Sequence, residues 1–341
     1  MKTSASLILV ASFIVSLLLT SNQALAWGAD GHQSVGAIAD ALIKDTKAGQ
    51  RVKALLGENT LEQMSVWADC VKGIAPEKDF TYTSAGRFPE CAFLENPTAI
   101  AAMADYAKRN HSDCKPAFDE ESCHKQYHYT NLALQHNEYK KGRIGSNDRD
   151  VVHAISAAIM VLQGKPAPAP FNIKDQREAV LMLAHLVGDI HQPLHVGSVY
   201  LNAEGKQTNP DEGNYDRGTH TVGGNALQCP CGNLHALWDD IPVPLKRGRG
   251  NDALIQKAKT IAKTNAPIEQ WSTLWANDAL RDAKIAFAST QFSASTPNQR
   301  GNSWSIALPL EYEKTMAKLK EDAMVRAGAH LAQIFTTVWP E

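Results

Sequence analysis

The chain has 341 residues, of which 44% are hydrophobic and 21% charged, and its 34 basic and 36 acidic residues give a formal net charge of −2. This composition is typical of a globular protein with one large domain or two small ones. The absence of a basic excess argues against binding nucleic acid by bulk electrostatics, although bound divalent cations would reverse the local sign of the charge.

Residues 1–26 have the pattern of a secretory signal peptide. Lys2 precedes an apolar stretch over 7–19, and the segment ends in Ala-Leu-Ala, with small residues at the first and third positions. Cleavage after Ala26 would make Trp27 the first residue of an exported protein, periplasmic or secreted. No later stretch is apolar for long enough to span a membrane. We therefore expect one mature domain over 27–341.

Six cysteines, an even number, fit an oxidising compartment and permit up to three disulfides. We expect Cys114 and Cys123 to close a short polar loop. Cys229 and Cys231 flank Pro230 and are too close in sequence to pair comfortably, so each is expected to bond elsewhere. A thiolate metal site at this Cys-Pro-Cys segment is the alternative.

Apolar residues at helical spacing dominate the chain and predict an all-α fold. Helices are predicted at 34–43, 61–71, 98–109, 148–162, 175–190, 252–263, 269–287 and 309–335. The helix at 175–190 has apolar residues on two sides, which predicts burial inside a single-domain helical bundle. The segment 197–225 is rich in Gly, Asn and Asp and is expected to form a long loop or a small hairpin.

The densest group of candidate metal ligands is the sequence HLVGDIHQPLH at 185–195. His185 and Asp189 are four residues apart and therefore lie on one helical face. Pro193 is expected to end the helix and to place His195 in a loop. Imidazole with carboxylate suits zinc, and one carboxylate can bridge two ions. The alternative is a set of core histidines whose hydrogen bonds are satisfied.

Other candidate ligands lie elsewhere in the chain. His235 and Asp239, in NLHALWD, repeat the four-residue spacing and share a helical face. Asp69 lies near the end of an amphipathic helix, and His128 lies in QYHYTNL. Taken alone, Asp69 would be a surface carboxylate and His128 a half-buried neighbour of aromatic residues.

In their order along the chain, six short motifs resemble those of the trinuclear zinc nucleases, the family of nuclease S-one and nuclease P-one. They are WGADGH at 27–32, VWAD ending at Asp69, HYTNL beginning at His128, HLVGDIHQPLH, GGN at 223–225 and NLHALWD ending at Asp239. The resemblance covers 27–239. It implies an all-α fold of the zinc phospholipase C and zinc nuclease type.

The resemblance also implies three Zn²⁺ ions and their ligands. The first ion would be held by Asp69, His128, His185 and Asp189. The second would be held by His32, the bridging Asp189, and the α-amino nitrogen and carbonyl oxygen of Trp27. The third would be held by His195, His235 and Asp239. His191 matches the motif without being a ligand, and it is interpreted as a residue that supports the ligands.

The implied activity is hydrolysis of single-stranded DNA and RNA to 5′-nucleotides, with 3′-nucleotidase activity, through attack of metal-activated hydroxide on phosphorus. Asp69 would orient the hydroxide, and Lys72 would neutralise charge on the phosphoryl oxygens. Stacking of an unpaired base favours single strands as substrates. No stable protein partner and no membrane anchor are implied.

The chain departs from the fungal members of that family at two places. Lys72 replaces an Arg, so a point charge stands where they have a bidentate fork. Tyr129 and Asn131 replace an aromatic residue and an Asp of the base pocket. Tyr129 would stack on a base or be a core aromatic residue, and Asn131, a donor as well as an acceptor, would relax or change the base preference. Asn225, from the GGN motif, completes the predicted substrate-binding set.

Two other functions compete with the nuclease interpretation. Zinc phospholipases C resemble the same scaffold and also begin with Trp, but the Gly-His behind Trp27 and the Asp239 carboxylate, where they carry Glu, favour a nuclease. A non-catalytic periplasmic zinc-binding protein would need saturated metal shells, whereas the implied ligand set leaves open positions.

Overall fold

The structure is a computed structural model that describes residues 27–116, 121–246, 251–298 and 301–341. The predicted signal peptide lies outside the described residues. Within them the fold is mostly helical, as predicted. The helices are α1 (Ala29–Ile43), α2 (Lys47–Leu56), α3 (Leu61–Met64), α4 (Trp67–Val71), α5 (Pro97–Cys114), α6 (Cys123–Gln126), α7 (Val151–Leu162), α8 (Gln176–His191), α9 (Leu234–Asp239), α10 (Asn251–Lys259), α11 (Trp271–Phe287) and α12 (Tyr312–Val338).

Helix α8 is the central element of the bundle. Its residues from 178 to 191 are all buried, and it packs against α1, α7, α11 and α12. The Asp175 side chain caps its first turn by accepting a hydrogen bond from the backbone N–H of Glu178. As predicted, it ends before Pro193, and His195 lies in a short 3₁₀ turn, Pro193–His195, rather than in an irregular loop.

Short strands lie at the edges of the bundle. They are β1 (Ile74–Ala75), β2 (Thr81–Tyr82), β3 (Leu132–Ala133), β4 (Gly197–Ser198), β5 (Leu227–Cys229), β6 (Gly232–Asn233), β7 (Gln291–Asn298) and β8 (Gly301–Ala307). The largest sheet has the order β6-β5-β8-β7, with β5 and β8 parallel. The β7–β8 hairpin was not predicted because β7 is mostly exposed and polar, so it lacks the alternation of apolar and polar residues that marks a strand.

The segment 197–225 is mainly an irregular loop. Its strand β4 pairs in parallel with β3, and two isolated bridges join Tyr200 to His220 and Leu201 to Gln207. The prediction of a long loop or small hairpin therefore holds for the loop, and the longest hairpin in the described residues lies later, at β7–β8.

The sequence prediction missed the short helices α2 and α6 and treated another segment as one continuous helix. The helix predicted at 61–71 is divided into α3 and α4, with a break at Ser65 and Val66. Helix α2 was missed because Gly49 lowers the helical propensity of its sequence. A Cβ at Gly49 would lie 2.1 Å from the carbonyl oxygen of Ile43, so the close approach of chain segments there requires glycine.

The structure contains three disulfides, Cys70–Cys91, Cys114–Cys123 and Cys229–Cys231. The Cys114–Cys123 prediction is confirmed. The expectation that the last two cysteines bond elsewhere was wrong, and so was the thiolate alternative. The antiparallel turn between β5 and β6 brings their Cα atoms to 5.1 Å, within the range that a disulfide spans. Among the described residues, none of the helices combines the length and the apolarity needed to cross a bilayer.

Candidate metal centre

The structure gathers eight of the nine predicted metal ligands into three adjacent groups. In each group the candidate ligand atoms lie within 4.8 Å of one another. The groups are His32 with His185 and Asp189, Asp69 with His128 and His185, and His195 with His235 and Asp239. Residues from five separate segments of the chain therefore meet at one end of α8.

Asp189, on the last turn of α8, lies between the groups. Its Oδ2 atom is 2.9 Å from Nδ1 of His128 and 3.2 Å from Nε2 of His185. Its Oδ1 atom is 3.4 Å from Nε2 of His32 and 3.7 Å from Nδ1 of His195. This central position is the one expected of a carboxylate that bridges two ions.

Three of the histidines are oriented by backbone carbonyl groups. The Nδ1 donors and their acceptors are His185 to Ser65 at 2.6 Å, His195 to His128 at 2.7 Å and His235 to Gly223 at 2.7 Å. A carbonyl oxygen only accepts, so Nδ1 carries the proton in each ring and Nε2 presents a lone pair. The break between α3 and α4 is what leaves the Ser65 carbonyl free for this contact.

The lone pairs of two of these rings face each other. Nε2 of His195 lies 3.1 Å from Nε2 of His235, and neither atom carries a proton that would make a hydrogen bond. Both ring nitrogens of His32, both oxygens of Asp189 and Oδ2 of Asp239 are also buried without a hydrogen bond. Each unsatisfied polar atom costs roughly 1–3 kcal/mol. Buried imidazole nitrogens and carboxylate oxygens that lack hydrogen bonds are suitable ligands for zinc ions.

Burial lowers the pKa of four of the five candidate histidine ligands and keeps them in the neutral form that binds metal ions. His185 is the exception, because the Asp189 and Asp69 carboxylates outweigh burial and raise its pKa. Burial, with Lys72 nearby, lowers the pKa of His128 to about 3. Burial, with His195 nearby, lowers the pKa of His235 to about 3 as well. Burial disfavours the charged form of Asp189, but the imidazoles of His185 and His195 outweigh it and hold the pKa of that carboxyl well below its usual range. The site therefore offers lone pairs and negative charge at neutral pH.

The first helix approaches α8 closely at this site. His32 stacks on His185 with the ring centroids 3.7 Å apart. A Cβ at Gly188 would lie 2.8 Å from Nδ1 of His32, so the glycine makes room for that ring.

Trp27 is buried, and its indole N–H donates to the carbonyl of Gly188 at 2.9 Å. The backbone N–H of Gly28 donates to the carbonyl of Asp239 at 2.9 Å. The residue at the predicted cleavage point is thus fixed beside two of the groups.

Lys72 lies at the end of α4, beside the second group. Its Nζ atom is 2.7 Å from Oδ1 of Asp69. Burial opposes the positive charge, but the carboxylates of Asp69 and Asp189 outweigh it and raise the pKa of Lys72. The ammonium group is therefore charged and adjacent to the candidate ligands.

The predicted substrate-binding residues lie in different settings. Asn131 is buried, and a Cβ at Gly223 would lie 3.4 Å from its Oδ1 atom and 3.3 Å from Nδ1 of His235. Asn131 is therefore close to the third group. Tyr129 is half-buried, and its hydroxyl donates to Glu121 at 2.8 Å. Asn225 is also half-buried, and its side-chain amide donates to a backbone carbonyl in its own turn.

His191 turns away from the candidate ligands toward α12. Its Nδ1 atom is 2.7 Å from the carbonyl of Val187, and its Nε2 atom is 2.8 Å from Nδ1 of His330. Trp275 stacks on His330 with the ring centroids 4.7 Å apart. His191 thus connects the end of α8 to α12.

Sequence reasoning missed several residues beside the site. A small cavity of about 20 Å³, enough for one water molecule, is lined by Asp69, Lys72, Gly73, Ser84, Phe88, Glu90 and Cys91. The Cys70–Cys91 disulfide brings this segment to α4, and such a pairing cannot be deduced from sequence. A larger cleft of about 370 Å³ between α1 and α2 contains none of the candidate ligands.

Comparison with known proteins is consistent with the motifs. The family model described as S1/P1 nuclease matches residues 27–339. Endonuclease 5 of Arabidopsis thaliana is 26% identical over 245 residues, which cover 68% of this chain and 62% of that protein. Endonuclease 4 of the same plant is 28% identical over 233 residues, which cover 67% of this chain and 59% of that protein. The chain thus spans about 60% of the length of these relatives.

Proposed function

Because this chain belongs to the S1/P1 nuclease family, we propose that it is a zinc-dependent endonuclease that cleaves single-stranded DNA and RNA to 5′-nucleotides and also has 3′-nucleotidase activity. The observation that carries this proposal is the convergence of imidazole lone pairs and unpartnered carboxylate oxygens in three adjacent groups. The same donors would repel one another without a cation.

We assign three zinc ions to these groups. Their ligands would be Trp27, His32, Asp69, His128, His185, Asp189, His195, His235 and Asp239. Zinc held there would supply a polarised water molecule and neutralise charge on a phosphoryl group. The position of Asp189 between the groups supports its assignment as the bridging ligand.

Two side chains would act directly on the reacting phosphate. Lys72 keeps its proton because the Asp69 and Asp189 carboxylates raise its pKa, so its ammonium group donates to a phosphoryl oxygen and stabilises the charge that develops there. Burial raises the pKa of Asp69, but Lys72 and the nearby histidines outweigh it and hold that pKa well below the usual range. Asp69 therefore remains ionised and accepts a hydrogen bond from the attacking water, which orients it.

The nucleobase would lie beside the third group, contacted by Tyr129, Asn131 and Asn225. The closeness of Asn131 to Gly223 and His235 supports this placement. Its amide both donates and accepts, so it suits more than one base edge. Only an unpaired base can enter such a contact, which is the reason to expect single-stranded substrates.

Export would be part of building the site. Removal of residues 1–26 gives Trp27 a free α-amine, and the single mature domain would extend over 27–341. Three disulfides support an oxidising location, periplasmic or secreted. The family match begins at residue 27, and the indole N–H of the buried Trp27 donates to the carbonyl of Gly188, the residue before Asp189.

The proposal is tested with the purified mature protein and a panel of substrates. Single-stranded DNA, RNA and a 3′-mononucleotide should be hydrolysed, duplex DNA should react more slowly, and a chelator should abolish all activity. Phosphatidylcholine is included because phospholipases share the scaffold. Hydrolysis of the lipid alone, or nuclease activity that survives full metal removal, would reject the proposal. Metal analysis should return three zinc ions per chain.

A further inference from the structure

Gln192 lies between α8 and the 3₁₀ turn, and its side chain is fully buried. Its Oε1 atom accepts a hydrogen bond from the backbone N–H of Leu194 at 2.6 Å. Its Nε2 atom donates to Oδ1 of Asp239 at 2.8 Å. The backbone N–H can only donate, so it fixes which end of the carboxamide is oxygen and directs the amide N–H group to Asp239.

This contact makes the two oxygens of Asp239 unequal. Oδ1 is occupied by Gln192, whereas Oδ2 is buried, has no hydrogen bond and lies 3.6 Å from Nε2 of His235. A carboxylate without such a restraint can rotate and present both oxygens to a cation. Here the contact with Gln192 restrains the carboxylate and leaves Oδ2 as the oxygen without a hydrogen bond.

We propose that Gln192 is a positioning residue that orients Asp239, so that its free Oδ2 atom would bind a metal ion in the third group. The inference rests on the proposed function because it requires an ion in that group. Gln192 does not touch substrate in this assignment. Its role is to hold the Asp239 carboxylate in place. This restraint also sets the distance between that carboxylate and His235.

Gln192 also connects the third group to Asp189, the residue proposed to bridge two ions. Its backbone N–H donates to the carbonyl of Asp189 at 2.9 Å, while its side chain holds Asp239. One residue therefore ties the end of α8 to α9, a helix of only six residues. Partners of this kind typically change metal affinity by roughly 10- to 100-fold when they are removed.

The test uses two substitutions and a matched control. Gln192 is the N-cap of the 3₁₀ turn, a position where Asn side chains commonly accept a backbone hydrogen bond. In Gln192→Asn the shorter amide therefore still accepts from the Leu194 N–H but does not reach Asp239. Gln192→Met keeps the length and removes both hydrogen bonds. The control is Gln333→Asn on α12, because Gln333 is also buried and also makes one donor and one acceptor bond, in its case to Thr264.

The measurements are zinc content after dialysis against graded chelator, the visible spectrum of the cobalt-substituted protein, and circular dichroism. Both Gln192 variants should keep two tightly bound ions and bind the third roughly 10- to 100-fold more weakly, with a changed cobalt spectrum. Gln333→Asn should match the wild type in affinity and spectrum.

Unchanged affinity and spectrum in Gln192→Asn would overturn the inference even if the wild type is an active three-zinc nuclease. Equal weakening of all three ions would also overturn it, since the assignment is specific to one group. A wild type that binds no metal or cleaves no nucleic acid would instead reject the proposed function. If Gln192→Met does not fold, Gln192→Asn decides the matter alone.

Discussion

At the scale of single residues, the site depends on which nitrogen or oxygen each side chain presents. Two four-residue His/Asp spacings and a proline identified His185, Asp189, His195, His235 and Asp239 as candidate ligands. The other four were assigned as ligands only through the family resemblance. The sequence did not identify Ser65 and Gly223 as partners, since any residue has a carbonyl oxygen and the choice depends on the tertiary fold. Nor did it identify Gln192, whose partner lies 47 residues away.

Asp189→Ala is expected to be the most damaging single substitution. Asp189 contacts histidines of all three groups, so bound zinc should fall from three ions to one and kcat/KM should fall by roughly 100-fold or more. Atomic absorption and steady-state kinetics would check this. Asp322→Ala, which removes an exposed carboxylate on α12, is the control. Three retained ions with normal kinetics would show that Asp189 does not bridge.

Lys72→Ala is expected to lower kcat by roughly 100-fold while the zinc content stays the same, because Lys72 donates to phosphate and not to metal. Lys72→Arg should retain most of the activity, since it keeps the charge beside Asp69. The measurement is kcat on a short single-stranded oligonucleotide together with a zinc count. Loss of zinc from the alanine variant would instead show that Lys72 holds Asp69 in position as a metal ligand.

At the scale of the elements, the long helices were predictable and their interruptions were not. Apolar periodicity placed α5, α7, α8, α11 and α12. It did not reveal the break at Ser65, because the amphipathic pattern continues through α3 and α4 while one carbonyl leaves the helix to bind His185. The short helix α9 was visible only as a His/Asp spacing, and six residues are too few to be stable without tertiary contacts.

Lys320 on α12 holds the end of α9 in place. Its Nζ atom donates to the carbonyls of Leu237 and Asp240, each at 2.6 Å, over the ring of Trp238. Burial lowers the pKa of Lys320 from 10.5 to about 8, with the Asp240 and Asp239 carboxylates opposing the shift. Between these two pH values the unfolded chain keeps a proton that the folded chain releases, so the contribution of Lys320 to the free energy of unfolding rises with pH.

Lys320→Met is expected to remove this pH dependence. Between pH 7.5 and 10, the free energy of unfolding of the wild type should rise relative to that of the variant. The expected rise is up to about 3 kcal/mol. Urea unfolding of the metal-free proteins at both pH values measures it. A difference that does not change with pH would show that Lys320 titrates normally.

At the scale of the whole molecule, the predicted mature N-terminus and the bundle interior form one unit. Trp27 is buried against α8, and the backbone of Gly28 is bonded to Asp239 more than 200 residues along the chain. The resemblance in sequence predicted the meeting of these segments. Composition and periodicity did not, because they contain no information on which distant parts of the chain come together.

An alanine added before Trp27 is expected to leave the fold intact and to remove one zinc ion. A free α-amine has a pKa near 7.7–8.0 and donates its lone pair readily, whereas the same nitrogen in a peptide bond is planar and does not. Mass spectrometry, zinc analysis and nuclease assays of the extended protein test this. Full zinc content and full activity in the extended protein would exclude the Trp27 amine as a ligand.

The disulfides of this protein are all local, joining cysteines 21, 9 and 2 residues apart. Each restricts only a short loop of the unfolded chain, and such loops contribute least to stability. The proposed zinc ligands extend from residue 27 to 239, so bound ions would act as the long-range tethers that the cysteines do not provide. Chelation is therefore expected to lower the Tm more than reduction does, a comparison that calorimetry can make on one sample.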